Sequence, residues 1–230
     1  MKTTPLFSII VPLYNTPLDL LDKMVQSVES QWYPNWQLVL ADDASPLPDA
    51  REHAKTLNND AITVLCLEKN QGIAGATNSA IEEATGEFIV LLDHDDELTA
   101  DCLFELAKCI DQNNPDFIYS DEDKIDEGGG FTQPHFKPDW SPDTMMSTMY
   151  TCHVACFRKT LIDEVGGLRP EYDGCQDWDL VLRITEKTNK IQHIPKILYH
   201  WRIFPESTAS DWSVKPYIIK ASQNARRDAL

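Results

Sequence analysis

The sequence predicts an α/β protein with a mostly parallel central sheet and helices on both faces. Three observations carry the prediction. Over the first 96 residues, four short apolar runs alternate with helical patterns, so the chain reads β-α-β-α-β-α-β. At least three of the four runs end in polar clusters: Tyr14-Asn15, Asp42-Asp43 and Asp93-His94-Asp95-Asp96. In open α/β sheets the carboxyl ends of the strands share one edge, and ligands bind there. The fourth run, residues 88–92, is apolar throughout, as a strand covered on both faces must be.

Each element has its own signal. Residues 6–11 form the first strand, stopped by Pro12. Pro17 opens a helix in which Leu18, Leu21, Met24, Val25 and Val28 recur at helical spacing. Residues 36–41 are the second strand, residues 49–57 a polar helix and residues 62–67 the third strand. A helix of small residues follows over 73–84, with Gly86 as its expected C-cap. Beyond the fourth strand, residues 100–112 are helical and 116–120 a strand, followed by Asp121-Glu122-Asp123-Lys124. Gly128-Gly129-Gly130 with Pro134, Pro138 and Pro142 marks a long irregular stretch, and such loops are usually functional or mobile. A strand at 151–158, a short helix at 160–167, a helix opened by Asp177, strands at 191–194 and 197–203, and a helix over 213–230 complete the reading. No internal repeat or linker appears. The expectation is one domain over 1–230, with a donor subregion at 1–99 and an acceptor subregion at 100–230.

Composition narrows the function. The 230 residues are 42% apolar and 25% charged, the balance of an ordinary globular protein. A formal net charge of −17 argues against a nucleic-acid partner and against unassisted docking on anionic lipid. Six cysteines without tight paired spacing read as reduced thiols in a cytoplasmic protein. Neither a signal peptide nor an apolar run long enough to span a membrane is found. The first strand is not followed by Gly-x-Gly-x-x-Gly, and no P-loop motif occurs.

The acidic cluster after the fourth strand is the chemical focus. Asp93 and Asp95 are two residues apart and share a face if the backbone there is extended. Carboxylates that close repel unless a cation lies between them, and oxygen ligands suit Mg²⁺ or Mn²⁺. The competing reading is a solvated acidic turn that caps the next helix. A calcium loop fails because Leu98 stands where a glycine is required. A dehalogenase-type phosphatase motif fails at Glu97 and belongs on an earlier strand.

Several segments together resemble a known family. Ser8-Ile9-Ile10-Val11-Pro12-Leu13-Tyr14-Asn15, Ala41-Asp42-Asp43-Ala44-Ser45, Leu91-Leu92-Asp93-His94-Asp95-Asp96 and Gln176-Asp177-Trp178-Asp179-Leu180 look like family 2 glycosyltransferases of the GT-A fold. Ser120-Asp121-Glu122-Asp123-Lys124-Ile125 and Tyr199-His200-Trp201-Arg202 are similar to the bacterial O-antigen and capsule members. The resemblance covers roughly residues 6–210.

The resemblance implies inverting transfer of a sugar from a nucleoside-diphosphate donor, UDP or TDP, to an acceptor hydroxyl on a glycan or lipid-linked saccharide. It implies a divalent cation, Mn²⁺ or Mg²⁺, held by the Asp-x-Asp, with Asp95 in direct contact and Asp93 facing the ribose and the metal. Asp96 is then the N-cap of the next helix. Pro12, Tyr14 and Asn15 would wall the base and ribose, Asp42 would accept from the imide N–H of the base, and Asn70, Gly72 and Asn78 would approach the nucleotide. Asp43 fits a helix N-cap. Asp177 corresponds to the catalytic base, with a helix N-cap as its alternative. His200 completes the metal shell in this reading, and a core histidine in the competing one. Arg202 either offsets diphosphate charge or forms a surface ion pair, while Trp140, Trp178 and Trp201 divide between sugar stacking and core. The implied setting is cytoplasmic, with peripheral association at the inner membrane, in a chain that continues into a longer multidomain protein. The rival of a different class is a non-catalytic GT-A domain that binds nucleotide or sugar within an assembly complex.

Overall fold

The computed structural model describes residues 2–203 and 216–229. Three parallel strands come first: β1 (Phe7–Leu13), β2 (Trp36–Asp42) and β3 (Ile62–Cys66), joined through helices α1 (Leu18–Glu29) and α2 (Pro48–Thr56). Helix α3 (Gly72–Glu82) then returns the chain to the other side of β1, where β4 (Phe88–Leu91) pairs in parallel. The order β3-β2-β1-β4 therefore reverses between β1 and β4. That reversal opens a crevice at the carboxyl ends of these two strands, because their connections leave in opposite directions.

The second half extends the same sheet. Its elements are β5 (Glu97–Leu98), α4 (Cys102–Asn113), β6 (Phe117–Ile125), β7 (Phe131–His135), α5 (Pro142–Met145), β8 (Ala155–Arg158), α6 (Lys159–Val165), α7 (Gln176–Thr185), β9 (Ile191–Arg202) and α8 (Pro216–Asp228). Strand β8 runs antiparallel to both β4 and β6, which leaves β6 parallel to β4, and β9 runs parallel to β6. Six strands thus point one way, while β5, β7 and β8 oppose them. Beyond β4 antiparallel neighbours enter, and the sheet is mixed there.

Two apolar layers cover it. On one face Phe7, Ile9 and Val11 of β1 pack with Leu21, Met24 and Val28 of α1 and Leu103 and Leu106 of α4. On the other, Ile10, Val39 and Ile89 meet Ala74, Ala76 and Ala80 of α3, while Phe117 and Phe157 stack at 4.7 Å near Leu180 and Val181 of α7. The small residues of α3 follow from this packing, since they bring the helix close to the sheet. Within α1 the buried stripe takes Leu20, and Leu18 is exposed.

Several sequence expectations are corrected. Gly86 does not cap α3, which ends at Glu82. A Cβ there would lie 2.6 Å from the Ser8 backbone nitrogen, so glycine is needed for a close approach to β1. Strand β6 runs on through Asp121-Glu122-Asp123-Lys124, and those three carboxylates are buried. The two strands expected at 191–194 and 197–203 are one, β9, with an irregularity in register after Ser120 on β6. Part of the irregular 128–142 stretch is β7, an edge strand. Residues 213–215 and 230 of the expected terminal helix lie outside the described residues. The six cysteines are unpaired, and among the described residues no helix is long and apolar enough to cross a membrane.

Candidate active site

The crevice beside β1 and β4 is lined by Ile10 and Pro12 from β1, Leu91 from β4 and Ile73 from α3, with Asp93 and Asp177 as its acids. Asp93 follows the end of β4, and Asp177 lies in the first turn of α7. The two carboxylates come from residues 84 positions apart, yet they face one cleft. Asp177 is not the helix cap, since Cys175 holds that position and no side chain caps α7. Its carboxyl accepts a 3.1 Å bond from the Gln176 side chain. Burial first, and then the charge of Asp93, push its pKa from 3.8 up to about 7. A carboxylate that titrates near neutrality suits proton removal, because both its protonation states are accessible at working pH.

The acidic cluster is curled, and this changes which of its carboxylates meet. The Asp96 N–H donates to the Asp93 carbonyl at 3.3 Å, so residues 93–96 form a tight turn rather than extended chain. A turn brings its first and fourth residues together, in place of the first and third. Ligand atoms of Asp93, Asp96 and His153 consequently lie within 4.8 Å of one another. Asp96 does not cap a helix; β5 follows it directly, and α4 starts at Cys102. Its fully buried carboxylate accepts from the Tyr199 hydroxyl at 2.6 Å and the Arg202 backbone N–H at 2.7 Å. The Tyr199 hydroxyl in turn accepts from the Asp93 N–H at 3.2 Å. The turn is thereby fastened to β9.

The charge pattern fits a cation. Burial, and then the charges of Asp93 and Asp95, hold Asp96 well above the usual carboxylate range. Burial also raises Asp95, where the pull of His94 outweighs the push of Asp93 without cancelling the rise. Burial keeps the His153 imidazole below its ordinary range and therefore neutral at pH 7, the form that ligates metals. Carboxylate oxygens with one neutral imidazole suit Mn²⁺ or Mg²⁺.

The other expected residues divide. Pro12 lines the crevice, and Tyr14 is half exposed just beyond it. Asn15 has a left-handed backbone (φ 52°), and its side chain accepts from the Leu47 N–H, which ties the β1 and β2 loops together. Asp42, buried at the end of β2, lies 3.5 Å from the Arg51 guanidinium. Asp43 is no helix cap, because α2 begins at Pro48 with Leu47 before it; its carboxylate accepts from the Gln71 N–H at 2.6 Å. Asn70 donates to the Asp43 carbonyl, and Gly72 begins α3 at φ 75°. Asn78, expected beside the nucleotide, instead bonds the Leu168 N–H and carbonyl at 2.8 and 2.7 Å. His200 is not brought to the Asp93 turn: its Nδ1 pairs with Asp123, and its ring stacks on Phe131. Arg202 is neither surface pair nor open cation, since it is buried and bonds the Asp95 carbonyl and the Glu97 carboxylate. Trp178 is core, with its N–H on the Met145 carbonyl, and Trp201 lies under the Lys124 ammonium. Trp140 packs edge-on against Phe117.

Residues without an assigned role in the sequence also take part. His153 and Tyr199 complete the Asp93 turn, and Asp173, just before α7, accepts from the Ala74 N–H at the start of α3 at 3.2 Å. Tyr199 lies in one of the family-like segments, whereas no spacing or motif marks His153 or Asp173.

The family model described as glycosyl transferase family 2 matches residues 8–164, well over half of the chain. The chain is 42% identical over its whole length to an uncharacterized protein, y4gI, of Sinorhizobium fredii, covering 26% of that protein. It is 37% identical, again over its whole length, to the O-antigen biosynthesis protein RfbC of Myxococcus xanthus, covering 18% of it. The chain thus spans about a quarter or less of these two relatives. Among solved structures, S. aureus TarS 1-349 in complex with UDP-GlcNAc superposes with a TM-score of 0.77 at 22% identity, over 96% of this chain and 65% of that one. That likeness shows the shared GT-A fold. By its family match and its relatives, this chain belongs to glycosyl transferase family 2.

Proposed function

We propose that the chain is the catalytic domain of an inverting, metal-dependent glycosyltransferase that takes a sugar from a UDP- or TDP-linked donor to a hydroxyl of a glycan or lipid-linked saccharide in cell-surface polysaccharide synthesis. The observation that carries the proposal is the pair of acids in one crevice, Asp93 at the switch point of the sheet and Asp177 with its pKa raised to about 7.

In this reading Asp177 accepts the proton of the acceptor hydroxyl. The acceptor oxygen then forms a bond to the anomeric carbon, and the bond from that carbon to the diphosphate breaks on the opposite face. Pro12 and Tyr14 wall the base and ribose, and Asp42 faces the base. Asp93, Asp95, Asp96 and His153 are the candidate ligands for the cation. A divalent cation bound there supplies positive charge for the departing diphosphate, which a chain of net charge −17 otherwise lacks. His200 stays outside this set because Asp123 engages it. We place the protein at the cytoplasmic face of the membrane, where such donors and lipid-linked acceptors meet.

A thermal-shift experiment tests the reading. UDP or TDP at a hundredfold excess over Kd is expected to add about 2.7 kcal/mol of stability, in the presence of Mn²⁺ or Mg²⁺ and not with EDTA. Asp177→Asn is expected to keep that shift and lose about 10² or more in transfer rate. Unchanged transfer by the variant would remove Asp177 as the base, and nucleotide binding without any transfer by the wild type would favour the non-catalytic alternative.

A further inference from the structure

Behind the Asp93 turn is a buried ion pair that the mechanism does not use. The Lys137 ammonium, whose side chain is 0% exposed, lies 3.0 Å from the Glu122 carboxylate, itself 4% exposed. Lys137 donates its remaining protons to the carbonyls of Thr151 and His153. The same Glu122 oxygen accepts the His153 backbone N–H at 3.1 Å. Both polar groups of His153's own backbone are therefore held by one ion pair, drawn from β6 and from the segment after β7. With the backbone so placed, the ring stacks on Tyr199 at 4.4 Å and 15° and meets Trp201 edge-on at 5.3 Å. Its Nε2 lies 4.0 Å from the Asp93 carboxylate.

A buried ion pair is a poor source of stability, because the desolvation of both charges offsets their attraction, and apolar replacements are often neutral or better. Its strength is directional. Each charge is met from several sides: Lys137 by Glu122 and two carbonyls, and Glu122 by Lys137, the His153 N–H and the His135 ring. We propose that Glu122 and Lys137 are positioning residues, whose ion pair clamps the His153 backbone and so aims its imidazole at Asp93 on the rim of the donor crevice. The benefit to a bound cation rests on the reading above. The aiming of the ring does not.

The test uses the 230-residue chain with histidines isotopically labelled. In the wild type, the His153 ring protons are expected to be displaced upfield by the Tyr199 face. The double variant Glu122→Met/Lys137→Met removes both charges together, and Glu122→Gln removes one. Both are expected to melt cooperatively, to lose the upfield displacement, and to bind Mn²⁺ with UDP at least tenfold more weakly. His153→Ala is expected to weaken Mn²⁺ binding by a similar factor, with no further loss when combined with the pair variants, as residues acting through one another are non-additive. Folded variants that keep the displaced signals would overturn the proposal. So would a double variant that cannot fold, since the pair would then be a stability element. A wild type that binds no Mn²⁺ would instead sink the cation reading, and the ring signals would still decide the positioning.

Discussion

Replacing Asp177 with Asn is expected to make the protein more stable while disabling it. The folded chain raises this carboxyl from 3.8 to about 7. Between those values the folded state binds more protons than the unfolded state, so stability falls as pH rises through the window and levels off above it. Three units at ~1.4 kcal/mol each give about 4 kcal/mol for the fully ionised group. The carboxyl faces an open crevice, and solvent there reduces the cost to about 2 kcal/mol. Asn has the same shape and no ionisation, so Asp177→Asn should gain that amount at pH 8 and almost nothing at pH 4. For a chain of this size the gain is a rise in Tm of roughly 4–8 °C at pH 8. Melts of both proteins from pH 4 to pH 8, without nucleotide or metal, measure it. In Asp93→Asn the fall should level off at lower pH and be smaller, since the Asp93 charge is the second cause of the shift. A Tm difference that does not change with pH would show that Asp177 is not held protonated, and the argument for a neutral-range base would fail with it.

Other positions give separate checks. Gly72→Ala puts a Cβ 2.3 Å from the Asp173 carboxylate at a backbone of φ 75°, so a loss of about 1–3 kcal/mol is expected in a denaturant melt; an unchanged midpoint would refute the close approach of α3 to the loop before α7. Tyr199→Phe leaves the buried Asp96 carboxylate and the Asp93 N–H each one partner short, for a loss of about 1–3 kcal/mol and weaker Mn²⁺ binding by calorimetry. Asn78→Ala should cost about 1–2 kcal/mol by removing both bonds to Leu168, and should leave the Kd for UDP within twofold; a large loss of UDP affinity at unchanged stability would return Asn78 to the donor site.

Much of this protein is legible in one dimension. Strand and helix positions through β4 follow from apolar periodicity, because each element must bury one face or both. Asp177 at the start of a helix, and an acidic cluster after a central strand, are local patterns carried by a few adjacent residues. The second half was harder because its burial is polar: the apolar pattern ends the strand at Ser120, yet β6 runs on, and Glu122 and Asp123 are buried against Lys137 and His200. The alternation of an extended strand joined Asp93 to Asp95, whereas a hydrogen-bonded turn joined Asp93 to Asp96.

By itself, then, the order of residues determined the strand succession, the edge at which polar groups collect and the acids that chemistry there requires. Only tertiary structure decided which of those acids face each other, that His153 rather than His200 stands beside them, and that Asn78 and Arg202 are engaged in holding backbone. The reason is range. Periodicity reports what one element does with its own faces, whereas Asp93, His153, Asp177 and Tyr199 meet only because β8, β9 and α7 return to the end of β4.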